Sequence, residues 1–253
     1  MLIIGDDNRD RHTTPVINYI FILINILVFV FLQGMGGDIQ FTYAYSTVPG
    51  EILSGRDIIT DSKILLDPYT NQRVELPGLQ PTGGSVYFTL LTSMFMHGGF
   101  AHLAGNMLFL WVFGDNLEND MGHRNYFFFY LLCGIIASLS HVFTTAFLGH
   151  DLLMPSLGAS GAISGVLGGY ILQHPTRKVH VWLLWGIISV PAFIAVGIWF
   201  VFQLINGLGA LGGSEAGGVA YAAHIGGFIA GLLLVKLFVV KKPILVEKRK
   251  AFW

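Results

Sequence analysis

The sequence predicts an all-α, polytopic membrane protein, a bundle of six transmembrane helices. Three observations carry this. The 253 residues are 53% hydrophobic and only 11% charged, against roughly 25% charged in a soluble domain. Apolar segments recur along the whole length, so the surplus is not one anchor. Lysine and arginine fall in the loops with an asymmetry that six crossings explain. The net charge of −1, with no basic groove interleaved with aromatics, excludes a nucleic-acid-binding chain. The single cysteine, Cys133, sits in an apolar run, so no internal disulfide and no cysteine-based metal site is expected.

A spanning helix needs about 20 mostly apolar residues. Span one is 16–32. A short polar start and no small-residue cleavage site after it make it a retained span rather than a signal peptide. An outer loop covers 34–100. It is polar over Gly34–Gly84, then apolar over Ser85–Met96, a stretch too short to cross and read as a re-entrant or interfacial hairpin arm. Spans two to six are expected at about 101–113, 125–147, 160–172, 181–205 and 224–240, with a cytoplasmic tail at 241–253. Span four is short and glycine-rich, which needs shelter from its neighbours. Pro191 predicts a kink in span five. Between spans five and six, GLGALGGSEAGG (207–218) reads as a mobile flap or a plain flexible connector.

Orientation follows from basic residues. Arg9 and Arg11 precede span one, Arg124 follows span two, and Arg177 and Lys178 follow span four. Lys241, Lys242, Lys248, Arg249 and Lys250 follow span six. With six spans all of these share one face, taken as cytoplasmic together with both termini. Five spans would split the two basic termini between faces.

Ionisable groups inside spans are costly and mark functional suspects. Here they are few: His97 and His102 at the start of span two, Asn106 one turn on, Ser160 and Ser164 at the start of span four, and His224 at the start of span six. Spans two, four and six run in the same direction, so their polar starts share one outer face. The chemistry this set allows is nucleophilic. A serine hydroxyl needs a base to take its proton, and His224 is the available one. Ser160 at a helix start lies beside free backbone N–H groups and the positive dipole end. Those groups, with His102 and Asn106 four residues apart on one helix face, suit an oxyanion. Gly161 lets another backbone approach Ser160 closely.

Plainer readings compete. Ser160 and Ser164 also fit helix packing in a small-residue run, and Ser164, one turn deeper, is assigned there. His224 also fits a histidine satisfied by a backbone carbonyl. Gly227 and Gly231, with Gly161, Gly165 and Gly169, suit close packing of spans four and six. That packing would itself bring Ser160 to His224. His97 and His102 lack the companions of a metal site, so no metal and no cofactor is expected. Asp115, Glu118 and Asp120 read as a solvated helix end. The α/β-hydrolase pattern G-x-S-x-G is not matched. No repeat relates the two halves and the polar groups sit at one face, not the midplane, which argues against a transporter.

MHGGFAHLAGNMLFLWVFGDNLE (96–118), GASGAISG (158–165) and AHIGGFIAG (223–231) together resemble the rhomboid intramembrane serine proteases, over roughly Phe88 to Val240. The resemblance implies a six-helix rhomboid bundle with a first-loop hairpin and a serine–histidine dyad without an acid. Ser160 would be the nucleophile and His224 the base, with His102, Asn106 and the Ser160 backbone as oxyanion donors. His97 would brace the first loop, and Gly227 and Gly231 would form the packing motif. It implies cleavage, near the outer face, of single-pass transmembrane proteins within the lipid bilayer. The short loops and absent targeting peptide suggest a bacterial plasma (inner) membrane. The alternative is a catalytically silent relative acting in membrane-protein binding or quality control. Two departures from the family pattern stand out: Phe88 and Thr89 occupy positions where a Trp-Arg pair is common in many relatives, and Ser164 one where some carry an aromatic supporting the histidine.

Overall fold

The structure, a computed structural model, describes residues 2–66, 73–183, 185–211 and 221–240. In chain order its elements are β1 (Leu2–Asp6), α1 (Val16–Leu27, prolonged by a π turn over Val28–Leu32), α2 (Ile39–Tyr45), α3 (Pro49–Ser54), β2 (Lys63–Leu66), β3 (Arg73–Leu76) and α4 (Thr89–Thr92, between 3-10 turns at Val86–Phe88 and Ser93–Phe95). Then follow α5 (Phe100–Met121), α6 (His123–Leu148), α7 (Ser160–Gln173), β4 (Lys178–Leu183), β5 (Gly186–Pro191), α8 (Ala192–Leu211) and α9 (Tyr221–Phe238). Helices α6 and α9 are long and apolar enough to cross a membrane; Val16–Leu32, Val86–Phe95 and Ala192–Gly207 are shorter apolar helices.

The chain is mostly helical, but the all-α expectation needs correction. Two small sheets are present among the described residues, one ordered β1-β4-β5 and one β2-β3. Residues 181–191, expected to begin span five, form most of the β4–β5 hairpin, which pairs from Lys178↔Pro191 to Leu183↔Gly186. The helix of span five begins only at Ala192. The reason is period-two patterning: Val179 and Val181 are buried while Lys178 and Trp182 face out. Averaged hydropathy does not separate such a β-branched run from a helix. Gly186, at φ 151°, turns the hairpin in a conformation that L side chains avoid. β1 adds to the open edge of β4, from Leu2↔Trp182 to Asp6↔Val179.

Span two is also longer than expected, because α5 continues past Phe113 to Met121. Asp115 and Glu118 are buried there, not solvated. Their partners lie far away in sequence. Glu118 accepts the backbone N–H groups of Ile17 (2.9 Å) and Asn18 (2.7 Å). It thereby caps α1, whose own N-cap, Pro15, provides no side-chain cap. Arg11 pairs with Asp115. Asn18 donates to the Leu110 carbonyl (2.9 Å) and accepts from the Tyr126 hydroxyl (2.8 Å), joining α1, α5 and α6.

The outer loop is structured: α2, α3 and the β2–β3 hairpin lie in it, and Ser85–Met96 becomes a run of short helical turns. Thr47 and Ser156 exchange backbone hydrogen bonds, tying this loop to the segment before α7. The end of α9 returns to the N-terminal strand's end of the bundle, where the Val240 N–H donates to the Asp120 carbonyl (3.1 Å). The expected tail, 241–253, and residues 212–218 of the glycine-rich connector lie outside the described residues.

Candidate active site

Ser160 is the first residue of α7. The first bond there runs from the Ile163 N–H to the Ala159 carbonyl (3.0 Å). The N–H groups ahead of it have no place in the helix ladder, and the positive dipole end points the same way. His224 lies in the first turn of α9. Glycines set the distance between these helices. A Cβ on Gly227 would stand 2.1 Å from the Gly161 carbonyl oxygen, and one on Gly231 would stand 2.0 Å from that of Gly165. On the α6 side, a Cβ on Gly161 would meet the Ala137 Cβ at 2.7 Å. The backbones touch where side chains are missing. At that separation His224 Nε2 lies 2.7 Å from Ser160 Oγ.

His102 and Asn106 line the same cavity, of about 540 Å³, as Ser160 and His224. His102 Nδ1 accepts the Gly98 N–H (3.4 Å), so Nε2 carries the ring proton on the other side. Asn106 Nδ2 is buried and has no hydrogen-bond partner. Gly158, at φ 124°, keeps a small space open between these groups. An atom at the position of its missing Cβ would stand 3.0 Å from His102 Nε2 and 3.6 Å from Ser160 Oγ. The loop before α7 is held from below, since the Gly158 N–H donates to the Ser93 carbonyl (2.8 Å).

His97 is fully buried, and neither ring nitrogen has a partner. Burial, with His102 adding to it, holds its ring well below the usual histidine range, at about 3, so it is neutral. The bracing bonds are made by its backbone: Gln33 accepts its N–H (2.9 Å) and donates to its carbonyl (3.0 Å). The Ser164 hydroxyl donates to the Ser160 carbonyl (2.6 Å) and stays inside the helix. Of the two departing positions in the first loop, Phe88 is exposed and Thr89 is buried. Thr89 donates to the Val86 carbonyl (2.6 Å), and its own carbonyl takes the Thr47 hydroxyl (2.9 Å). Among the described residues no group of three His, Cys, Asp or Glu could hold a metal ion.

Sequence reading missed one contact of the histidine. Gln203 of α8 is buried, and its Oε1 lies 2.8 Å from His224 Nδ1. Its signal was available, as an amide inside an apolar helix.

A family model described as the Rhomboid domain matches residues 84–241, more than half of the chain. The chain belongs to the rhomboid family. It is 36% identical over 146 residues to "Rhomboid protein 1, mitochondrial" of Saccharomyces cerevisiae, covering 57% of this chain and 40% of that protein. To "Rhomboid protease GluP" of Bacillus subtilis it is 29% identical over 211 residues, 83% of this chain and 35% of that one. To "RHOMBOID-like protein 4" of Arabidopsis thaliana it is 33% identical over 151 residues, 60% of this chain and 34% of that one. This rhomboid therefore matches well under half the length of these relatives. Family membership makes it an integral membrane protein. The mitochondrial relatives lend no support to the expected bacterial plasma membrane.

Proposed function

We propose that this rhomboid is an intramembrane serine endopeptidase with Ser160 as nucleophile and His224 as general base. The observation that carries the reading is the 2.7 Å contact between Ser160 Oγ and His224 Nε2, made across a helix contact that only glycines permit. In the reaction the Ser160 proton passes to His224 Nε2 as Oγ bonds the scissile carbonyl carbon. The carbonyl oxygen takes up the negative charge beside His102 Nε2, Asn106 Nδ2 and the Ser160 N–H. His224 then protonates the leaving amine, and a water it activates releases the acyl group. Asn106 Nδ2 is bonded to no other protein group, so it is free to donate to a group in the cavity. It finds its partner when an oxyanion forms.

The proposed substrates are single-pass transmembrane proteins. A membrane helix has its backbone fully paired and resists attack, so cleavage favours helix-breaking or small residues near the face where the cavity opens. The six-span topology, with both termini on the basic face, belongs to this proposal. Its test is cleavage of a single-pass substrate in proteoliposomes. Wild-type protein is expected to cut it, and Ser160→Ala and His224→Ala to leave it intact while keeping the wild-type melting temperature. Near-wild-type cleavage by either variant would sink the dyad. A folded protein inert in both forms would leave a silent, membrane-protein-binding relative.

A further inference from the structure

His224 can act as a base only in one of its two neutral forms. A neutral imidazole carries a single N–H, on either Nδ1 or Nε2. Only the tautomer protonated on Nδ1 presents a lone pair at Nε2 to take the Ser160 proton. In the Ser-His-Asp arrangement a carboxylate makes that choice. Among the described residues the titratable side chains around His224 are His102 of α5, His141 of α6 and Tyr221 of α9. None of them is a carboxylate.

We infer that Gln203 is the positioning residue of the base, a neutral third member of a Ser160–His224–Gln203 relay. Gln203 Oε1 lies 2.8 Å from His224 Nδ1, while His224 Nε2 lies 2.7 Å from Ser160 Oγ. An amide oxygen only accepts, so it selects the Nδ1–H tautomer and turns Nε2 toward the serine. Trp199 and Gln203, four residues apart, share one face of α8. The Trp199 ring centroid stands 6.2 Å from that of His224. One side chain packs near the ring and the other fixes its proton. A carboxylate in this place would also stabilise the imidazolium, but at the cost of a charge buried among apolar helices. The amide chooses the tautomer without that charge. The reverse orientation of the amide, with its NH2 toward Nδ1, would put the proton on Nε2 and disable the base, so the relay makes a definite claim about one proton.

This inference rests on the protease reading, and the experiment separates the two. Gln203→Met keeps the length of the side chain and removes the acceptor; Gln203→Glu keeps an acceptor. On a single-pass substrate, Gln203→Met is expected to lower kcat about tenfold, the worth of one hydrogen bond, with KM within about twofold of wild type. Gln203→Glu is expected to recover most of that loss and to move the acidic limb of the rate profile to higher pH. Independently of activity, 15N spectra of histidine-labelled protein in detergent, with His224 assigned by His224→Ala, are expected to show the Nδ1–H tautomer in wild type and a tautomer mixture in Gln203→Met. Wild-type protein without any cleavage would defeat the protease reading, and the spectra would still decide the role of Gln203. The relay is overturned if wild-type His224 carries its proton on Nε2, if Gln203→Met leaves the tautomer and kcat unchanged, or if Gln203→Glu is no better than Gln203→Met.

Discussion

The two ends of the helix bundle bury polar side chains in opposite ways. At the end that holds β1, the polar groups bond to one another. Glu118 takes two backbone N–H groups of α1, and Asn116 donates to Asp6 (2.8 Å) and Asn8 (2.7 Å). The Tyr170 hydroxyl also donates to Asp6, and Arg177 donates to the Asp7 carbonyl (2.8 Å). At the end that holds Ser160, one buried donor, Asn106 Nδ2, bonds to no other protein group and lies beside an open cavity. The first arrangement holds helices together. The second leaves a donor that no other protein group takes up, facing the cavity. Burial of a polar group is therefore a poor guide to its role.

Four substitutions would break or sharpen this contrast. The largest effect is expected at the glycine contact that serves the site. Gly231→Leu would drive a side chain into the Gly165 carbonyl, 2.0 Å from the first added carbon, so the backbones must part. Loss of the folded protein in thermal melts, with no cleavage, is the expected outcome.

Next comes Asp6, the member of the β1-end network with one oxygen lacking a partner. Burial first, then the nearby Asp115 charge, pushes its carboxyl up to about 7, against the hydrogen bonds from Tyr170 and Asn116 and the pull of Arg177. The unfolded chain loses this proton near 3.8. Between those values the folded state holds the extra proton, so this residue makes stability fall as pH rises from about 4 to about 7. Asp6→Asn is expected to remove that slope. It should gain on the order of 4 kcal/mol over wild type above pH 7 and nothing at pH 4. Melting curves across pH read the difference, and parallel curves would contradict it.

Asn106→Ala is expected to lower kcat about 100-fold, the scale of one oxyanion donor. Its melting temperature should hold or rise, because an unsatisfied donor is removed. Smallest is Glu118→Gln, which keeps the shape but weakens the charged cap of α1. About 2 kcal/mol of stability is expected to go, with kcat of the folded fraction unchanged. A large kcat loss in Glu118→Gln, or a large stability loss in Asn106→Ala, would erase the distinction between the two ends.

The site was legible in the sequence to the extent that its signals are local. GASGAISG and AHIGGFIAG place a serine and a histidine at helix starts, and their glycines predict the helix contact that brings those residues together. What sequence reading missed depends on partners far along the chain. Asp115 and Glu118 look solvated until Arg11, Ile17 and Asn18 are seen to meet them. The β4–β5 hairpin hides in an apolar run because hydropathy averages over the alternation of Val179 and Val181 with outward residues. The Gln203 contact with His224 joins residues on separate helices, so no spacing rule exposes it. His97 was expected as a brace; its hydrogen bonds to Gln33 are made by its backbone, a detail that no side-chain pattern exposes.

The central claim is that Ser160 is an activated nucleophile. A serine-reactive fluorophosphonate, followed by mass mapping of the modified peptide, tests it without any knowledge of the substrate. One adduct on Ser160 is expected in wild-type protein, sharply slowed in His224→Ala and absent in Ser160→Ala. An unmodified Ser160 at saturating reagent, or equal labelling of wild type and His224→Ala, would contradict the claim.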